Sequence, residues 1–178
     1  MLNIVVITPT RRGMNLKPTF EDLYGQNVDR IFVFCVSRVG RDQAEDLTAD
    51  VFCKALGAWD RFEDRDSSPK AWLMQIAHNR IIEAWRSNAR VSNDYRAGLV
   101  VDDVAIAVED LDRINTLMGQ LKKLPDRQQT VVTLRFLSEL SVAEVASVLE
   151  ITEEAVRAAT MRGIRTLRST ITALPQKA

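Results

Sequence analysis

Apolar positions recur along most of this chain every three or four residues, the spacing that lines one face of a helix. From Phe20 the stripe runs through Leu23, Tyr24, Ile31, Phe34 and Cys35, with Thr19 as a cap. This predicts a helix that ends near Arg38, before a turn at Gly40-Arg41. Asp42 and Glu45 have the spacing of a capping box for a second helix. That helix carries Leu47, Val51, Ala55 and Ala58 on one face, Asp46, Asp50 and Lys54 on another, and ends near Trp59. Residues 60–68 are polar apart from Phe62. Ser68-Pro69 then starts a third helix, since proline is favoured in the first turn. Its stripe is Trp72, Leu73, Ile76, Ala77, Ile81, Ala84 and Trp85, and it is expected to end near Ser87-Asn88.

The pattern stops at Val91 and resumes near Leu111. The intervening stretch is rich in aspartate and glutamate and predicts a flexible acidic linker. Leu111, Ile114, Leu117, Met118 and Leu121 suggest another helix, and Pro125 opens one containing Val131, Val132, Leu134 and Phe136. The last apolar pattern is double. Ser141 and Glu144 form a capping box, and Leu140 can staple onto Val145. After a break at 150–152, Thr152 can cap a second helix with Glu153 and Glu154 in its first turn, where the helix dipole favours anions. Val156, Thr160, Ile164, Leu167 and Ile171 share one side of that helix. Arg157, Met161, Arg165 and Arg168 share another, beside Ala158 and Arg162. This is the layout of a helix-turn-helix, whose second helix enters a major groove. It is equally the layout of an αα-hairpin with a solvated basic face.

No β-type alternation of any length occurs, so the fold class is all-α: two small helical domains joined by the linker. The boundaries expected are an N-terminal arm at 1–17, a front bundle at 18–90, the linker at 91–110 and a rear bundle at 111–174. Lysine plus arginine equal aspartate plus glutamate, 24 each. Any nucleic-acid contact must therefore come from local segregation of charge. Cys35 and Cys53 stand apart without metal-ligand spacing, and buried reduced thiols are expected, as suits a cytoplasmic protein. The chain has one histidine, His78, with no partner at the spacing of a triad, and no glycine-rich phosphate loop. These features argue against an enzyme and predict no metal and no cofactor. No apolar run is long enough to insert in a membrane.

Three stretches, in this order, carry a resemblance to the extracytoplasmic-function sigma factors of bacterial RNA polymerase. AEDLTADVFCKALGAW (44–59) resembles that family's region 2.2, and PKAWLMQIAHNRIIEAWR (69–86) its regions 2.3 and 2.4. LKKLPDRQQTVVTLRFLSELSVAEVASVLEITEEAVRAATMRGIRTLR (121–168) resembles region 4. The resemblance implies a region 2 bundle and a region 4 helix-turn-helix that together direct promoter-specific initiation. The partners implied are core RNA polymerase, through its β′ clamp and β flap, promoter DNA, and an anti-sigma factor. Asp46, Leu47, Asp50, Val51 and Lys54 would form the surface that docks on core polymerase. Phe62, Ser67, Lys70, Asn79, Arg80 and Arg86 would hold the opened minus-ten element. Thr152, Arg157, Ala158, Met161, Arg162, Arg165 and Arg168 would read the minus-thirty-five element. The acidic linker would imitate RNA phosphate charge. Two departures stand out: Glu150 replaces the usual turn glycine, and Ala159 a common arginine. The alternative to a sigma factor is a helix-turn-helix regulator that acts without polymerase.

Overall fold

The computed structural model describes residues 17–63, 68–91 and 117–172. The expected arm up to residue 16, Ser67, the linker beyond Val91, residues 111–116 and the C-terminal tail lie outside them. The described residues are helical, with no strand among them. In order they form α1 (Phe20–Val39), α2 (Arg41–Trp59), α3 (Pro69–Val91), a helical stretch at 117–121, α4 (Asp126–Val132), a π-helical turn (Thr133–Leu137), α5 (Val142–Leu149) and α6 (Glu153–Thr172).

Local chemistry sets most of the boundaries. Thr19 caps α1 in a full capping box with Asp22, and Gly40 ends it at φ 86°, a conformation that glycine adopts without a Cβ penalty. Helix α2 starts directly after Gly40, so Asp42 and Glu45 lie inside it. The expected capping box is absent, and no side chain caps that end. At its other end Lys17 donates to the carbonyl of Trp59, the last helical residue, and to that of Phe62 in the loop that follows. Ser68 caps α3 through the Ala71 amide at 3.2 Å. That helix runs one turn beyond the expected stop.

The front bundle packs α1, α2 and α3 around Ile31, Phe34, Val51, Leu73, Met74 and Ile81, each fully buried. The rear bundle crosses α4 with α6 and α5 with α6. At the first crossing a Cβ on Gly163 would lie 2.7 Å from Val132 Cγ2. The two bundles are in contact. Helices α1 and α3 meet the π-helical turn and α5, and one apolar core runs from Leu73 through Leu134 to Val145 and Val156. Polar contacts sew the seam. Buried Gln129 donates to the Ser37 carbonyl at 2.7 Å and accepts from Arg38 Nη1 at 2.6 Å. The Arg38 guanidinium lies 4.5 Å from the Trp85 ring centroid.

Candidate nucleic-acid and docking surfaces

The rear hairpin is built as its sequence pattern predicts. Ser141 Oγ accepts from the Glu144 amide at 3.2 Å, and Glu144 Oε2 accepts from the Ser141 amide at 2.7 Å. Leu140 and Val145 are buried. Glu150 ends α5 at φ 53°, ψ 46°, so the turn takes the left-handed conformation although no glycine is there. That costs roughly 1–2 kcal/mol for a side chain with a Cβ. The amide of Ile151 bonding to the Ala146 carbonyl at 3.0 Å helps to hold it. Thr152 then caps α6 through the Ala155 amide at 3.2 Å.

Helix α6 buries Val156, Ala159, Gly163 and Leu167. Ala159, where the resemblance would place an arginine, is only 1% exposed; a charge there would have to enter the core. On the outer side Arg157, Ala158, Met161, Arg162, Arg165 and Arg168 are all exposed, and Met161 is 67% exposed. Arg157 is held by Glu153, one turn earlier, with Glu154 at 3.7 Å. The helix therefore presents a cationic stripe interrupted by two apolar side chains. Arginines at this spacing suit phosphates and guanine edges, and the apolar positions suit a thymine methyl.

The proposed docking residues of α2 do not share one surface. Leu47 and Val51 point into the bundle core, Val51 with no exposure at all, because they continue the Ala44–Ala55 stripe. Neither is available to a partner in this packing. Asp50 and Lys54 line the flank facing α3. Arg80 bonds to both Asp50 and Glu83, and Lys54 lies 3.9 Å from Glu83. Asp46 is exposed on the outer face, with Ala49, Cys53 and Leu56. Leu56, 58% exposed, was missed in the sequence; its place off the apolar stripe was the available signal. Cys53 is likewise exposed, against the expectation of two buried thiols. Cys35 is buried, and burial, only partly offset by the neighbouring Thr48 hydroxyl, raises its thiol to about 11, so it stays protonated and inert.

The single-strand candidates divide in the same way. Phe62 is 8% exposed, stacked on Trp59 with centroids 5.3 Å apart and tilted on Trp72 at 4.8 Å. Two neighbouring indoles bury it, so it is core rather than a free stacking platform. Arg80 is engaged by its two carboxylates. Asn79 and Arg86 are exposed at the far part of α3, and Lys70 at its start is half-buried. Lys70 Nζ donates to the Glu139 carbonyl at 2.8 Å. His78 is half-buried. Burial and the nearby Arg38 charge push its pKa down, which keeps the ring neutral. Among the described residues no His, Cys, Asp or Glu cluster could hold a metal ion. No helix there is long and apolar enough to cross a membrane.

Two family patterns match this chain: Sigma-70 region 2 over residues 23–91 and Sigma-70, region 4 over residues 114–167. The chain is 35% identical over 155 residues to the extracytoplasmic-function sigma factor BldN of Streptomyces coelicolor. That match takes in 83% of this chain and 58% of the relative. It is 30% identical over 163 residues to SigW of Bacillus subtilis, covering 84% of this chain and 87% of SigW. The fold is similar to that of the sigma factor RpoE of Bartonella quintana, solved in complex with the anti-sigma factor NepR. The TM-score is 0.77 at 21% identity, over 86% of this chain and 97% of that one.

Proposed function

Because the chain belongs to the extracytoplasmic-function sigma factors of bacterial RNA polymerase, we propose that its two bundles divide promoter recognition between them. The front unit, 18–90, docks on core polymerase and holds the opened minus-ten strand. The rear unit, 111–174, reads the minus-thirty-five element as duplex, and the segment 91–110 joins them. The observation that carries this reading is the outer face of α6, six exposed side chains of which four are arginines, on a hairpin capped at both helix starts.

Within that division the residue roles are as follows. Arg162, Arg165 and Arg168 grip the minus-thirty-five duplex with Thr152, while Ala158 and Met161 make its apolar base contacts and Arg157 exchanges Glu153 for phosphate. Asp46 and Leu56 form the outer docking face of α2; an acidic and apolar surface suits a basic helical partner such as a polymerase clamp. Lys70, Asn79 and Arg86 face the opened strand. The chain acts as a binding factor rather than an enzyme, and works in the cytoplasm, where polymerase and promoter are. An anti-sigma factor that covers these faces is the expected regulator, as the complex of RpoE with NepR illustrates for a protein of the same fold.

Mixing the purified chain with bacterial core polymerase and separating the complex by gel filtration tests the first half of this reading. Co-elution is expected, and Asp46→Arg should reduce it. Independent elution of the wild-type chain, with no anti-sigma factor present, would refute it.

A further inference from the structure

The start of α1, the end of α2 and the start of α3 meet around one ammonium group. Lys17, the last residue of the expected arm, lies on the surface, yet its Nζ reaches 42 and 45 positions along the chain. It donates to the Trp59 carbonyl, which also accepts from the Phe62 amide at 3.1 Å, and to the Phe62 carbonyl at 3.0 Å. The same nitrogen lies 4.3 Å from the Trp59 ring centroid and 5.6 Å from that of Phe62. A cation so close to an indole adds to the two hydrogen bonds. The last turn of α2 holds no basic residue of its own, and Asp60 follows it. Lys17 therefore supplies, from outside the helix, the positive charge that the C-terminal end of the dipole favours.

The contact passes on to α3. Phe62 stacks on Trp59 with the ring planes 5° apart, and Phe62 and Trp59 both pack on Trp72, at 4.8 and 5.8 Å between centroids. Phe20, in the first turn of α1, closes the group at 6.0 Å from Trp59. Trp72 stands in the first turn of α3, two residues after Lys70, and Pro18 shares with Pro69 and Lys70 the lining of one cleft. We propose that Lys17 is a positioning residue for promoter opening. It fixes the 59–62 turn, and through the Trp59, Phe62 and Trp72 rings it fixes the first turn of α3, from which Lys70 meets the separated strand. The inference rests on the reading that the start of α3 faces the opened strand; Lys17 itself touches no DNA. A turn already held in place gives up little freedom when a strand arrives, whereas an unheld one must be ordered at that moment.

Abortive initiation by the full chain with core polymerase tests this, on a duplex fragment carrying a start mapped with the wild-type chain. The assay separates closed-complex affinity from the rate of opening. Lys17→Met keeps the apolar stem and removes the charge. It is expected to slow opening about three- to tenfold, the range set by the net worth of one hydrogen bond. Closed-complex affinity and gel-filtration capture of core polymerase should not change. Lys17→Arg, whose guanidinium can donate to both carbonyls, should keep the wild-type rate; a rate as slow as that of Lys17→Met would overturn the role of the charge. Loss of core capture along with opening in Lys17→Met would make Lys17 a general support of the front bundle and overturn the positioning role. An unchanged opening rate for Lys17→Met, with Lys70→Ala still slowing it, would overturn that role and leave the α3 reading intact. If Lys70→Ala leaves opening unchanged as well, the α3 reading is refuted and the inference with it.

Discussion

The crossing of α4 and α6 permits a prediction in which two effects oppose each other. Replacing a glycine inside a helix by alanine ordinarily stabilises by roughly 0.5–1 kcal/mol, because the unfolded chain loses freedom. At Gly163 the new Cβ would stand 2.7 Å from Val132 Cγ2 and 3.7 Å from Gln128 Cβ. Contact without strain needs about 3.5–4 Å, so close to 1 Å of movement is required. Val132 is 4% exposed, and its β-branched side chain is stiff in a helix, so it cannot swing away. Overpacking of this kind costs about 1–3 kcal/mol. The clash should win, leaving Gly163→Ala about 0.5–2 kcal/mol less stable, a fall in midpoint of roughly 2–6 °C for a chain of this size. Gly25→Ala is the control: it is also helical, has nothing within 4 Å of the new Cβ, and should raise the midpoint. Thermal unfolding followed by circular dichroism reads both. Combining Gly163→Ala with Val132→Ala should cost less than the two separate losses added, because the colliding methyl is gone. A rise in midpoint for Gly163→Ala to match Gly25→Ala would refute the close crossing of these helices.

Other expectations follow from the surfaces. Arg162→Ala should weaken binding to a mapped minus-thirty-five duplex by about 1–3 kcal/mol if the guanidinium holds a guanine through two bonds, with capture of core polymerase unchanged. Equal affinity in a gel-shift titration would remove that role. Asp50→Arg should destabilise the front bundle as well as disturb docking, since the new charge would face Arg80; a urea titration with an unshifted midpoint would contradict the α2–α3 ion pairs. His78 has a pKa below its ordinary 6.5 in the folded chain. As pH falls through that value the unfolded chain takes up the proton first, so stability drops and then levels off below the folded pKa. His78→Gln should flatten this part of the stability–pH curve, and an unaltered curve would show that the ring is not kept neutral by its surroundings.

What could be read along the chain was local. The Ser141–Glu144 box, the Thr152 cap, Pro69 at the start of α3 and the two faces of α6 each depend on residues a few positions apart, and each is formed. A mistake of the same local kind was the box at Asp42 and Glu45: its spacing was right, but Gly40 lets the helix begin before it. Leu47 and Val51 were assigned both to the apolar stripe of α2 and to its docking face, and packing against α1 and α3 allows only the first. Phe62 sits in a polar sequence, and nothing nearby except Trp59 announces its burial. The second indole comes from Trp72 in the next helix. Contacts across the seam were beyond reach, because Arg30 and Glu139 are 109 positions apart and neither lies in a recognisable motif. The left-handed conformations of Glu139 and Glu150 were hidden for a related reason, since glutamate carries no turn signal and long-range contacts hold the first of them in place.

Transcription in vitro tests the central claim most directly: purified chain, bacterial core polymerase and fragmented genomic DNA, with the 5′ ends of the transcripts mapped. The account predicts discrete starts that depend on the chain and share two upstream elements, the farther of which becomes dispensable or altered when Arg162 is replaced. Core polymerase that gains no start sites from the chain, with no anti-sigma factor in the mixture, would contradict it.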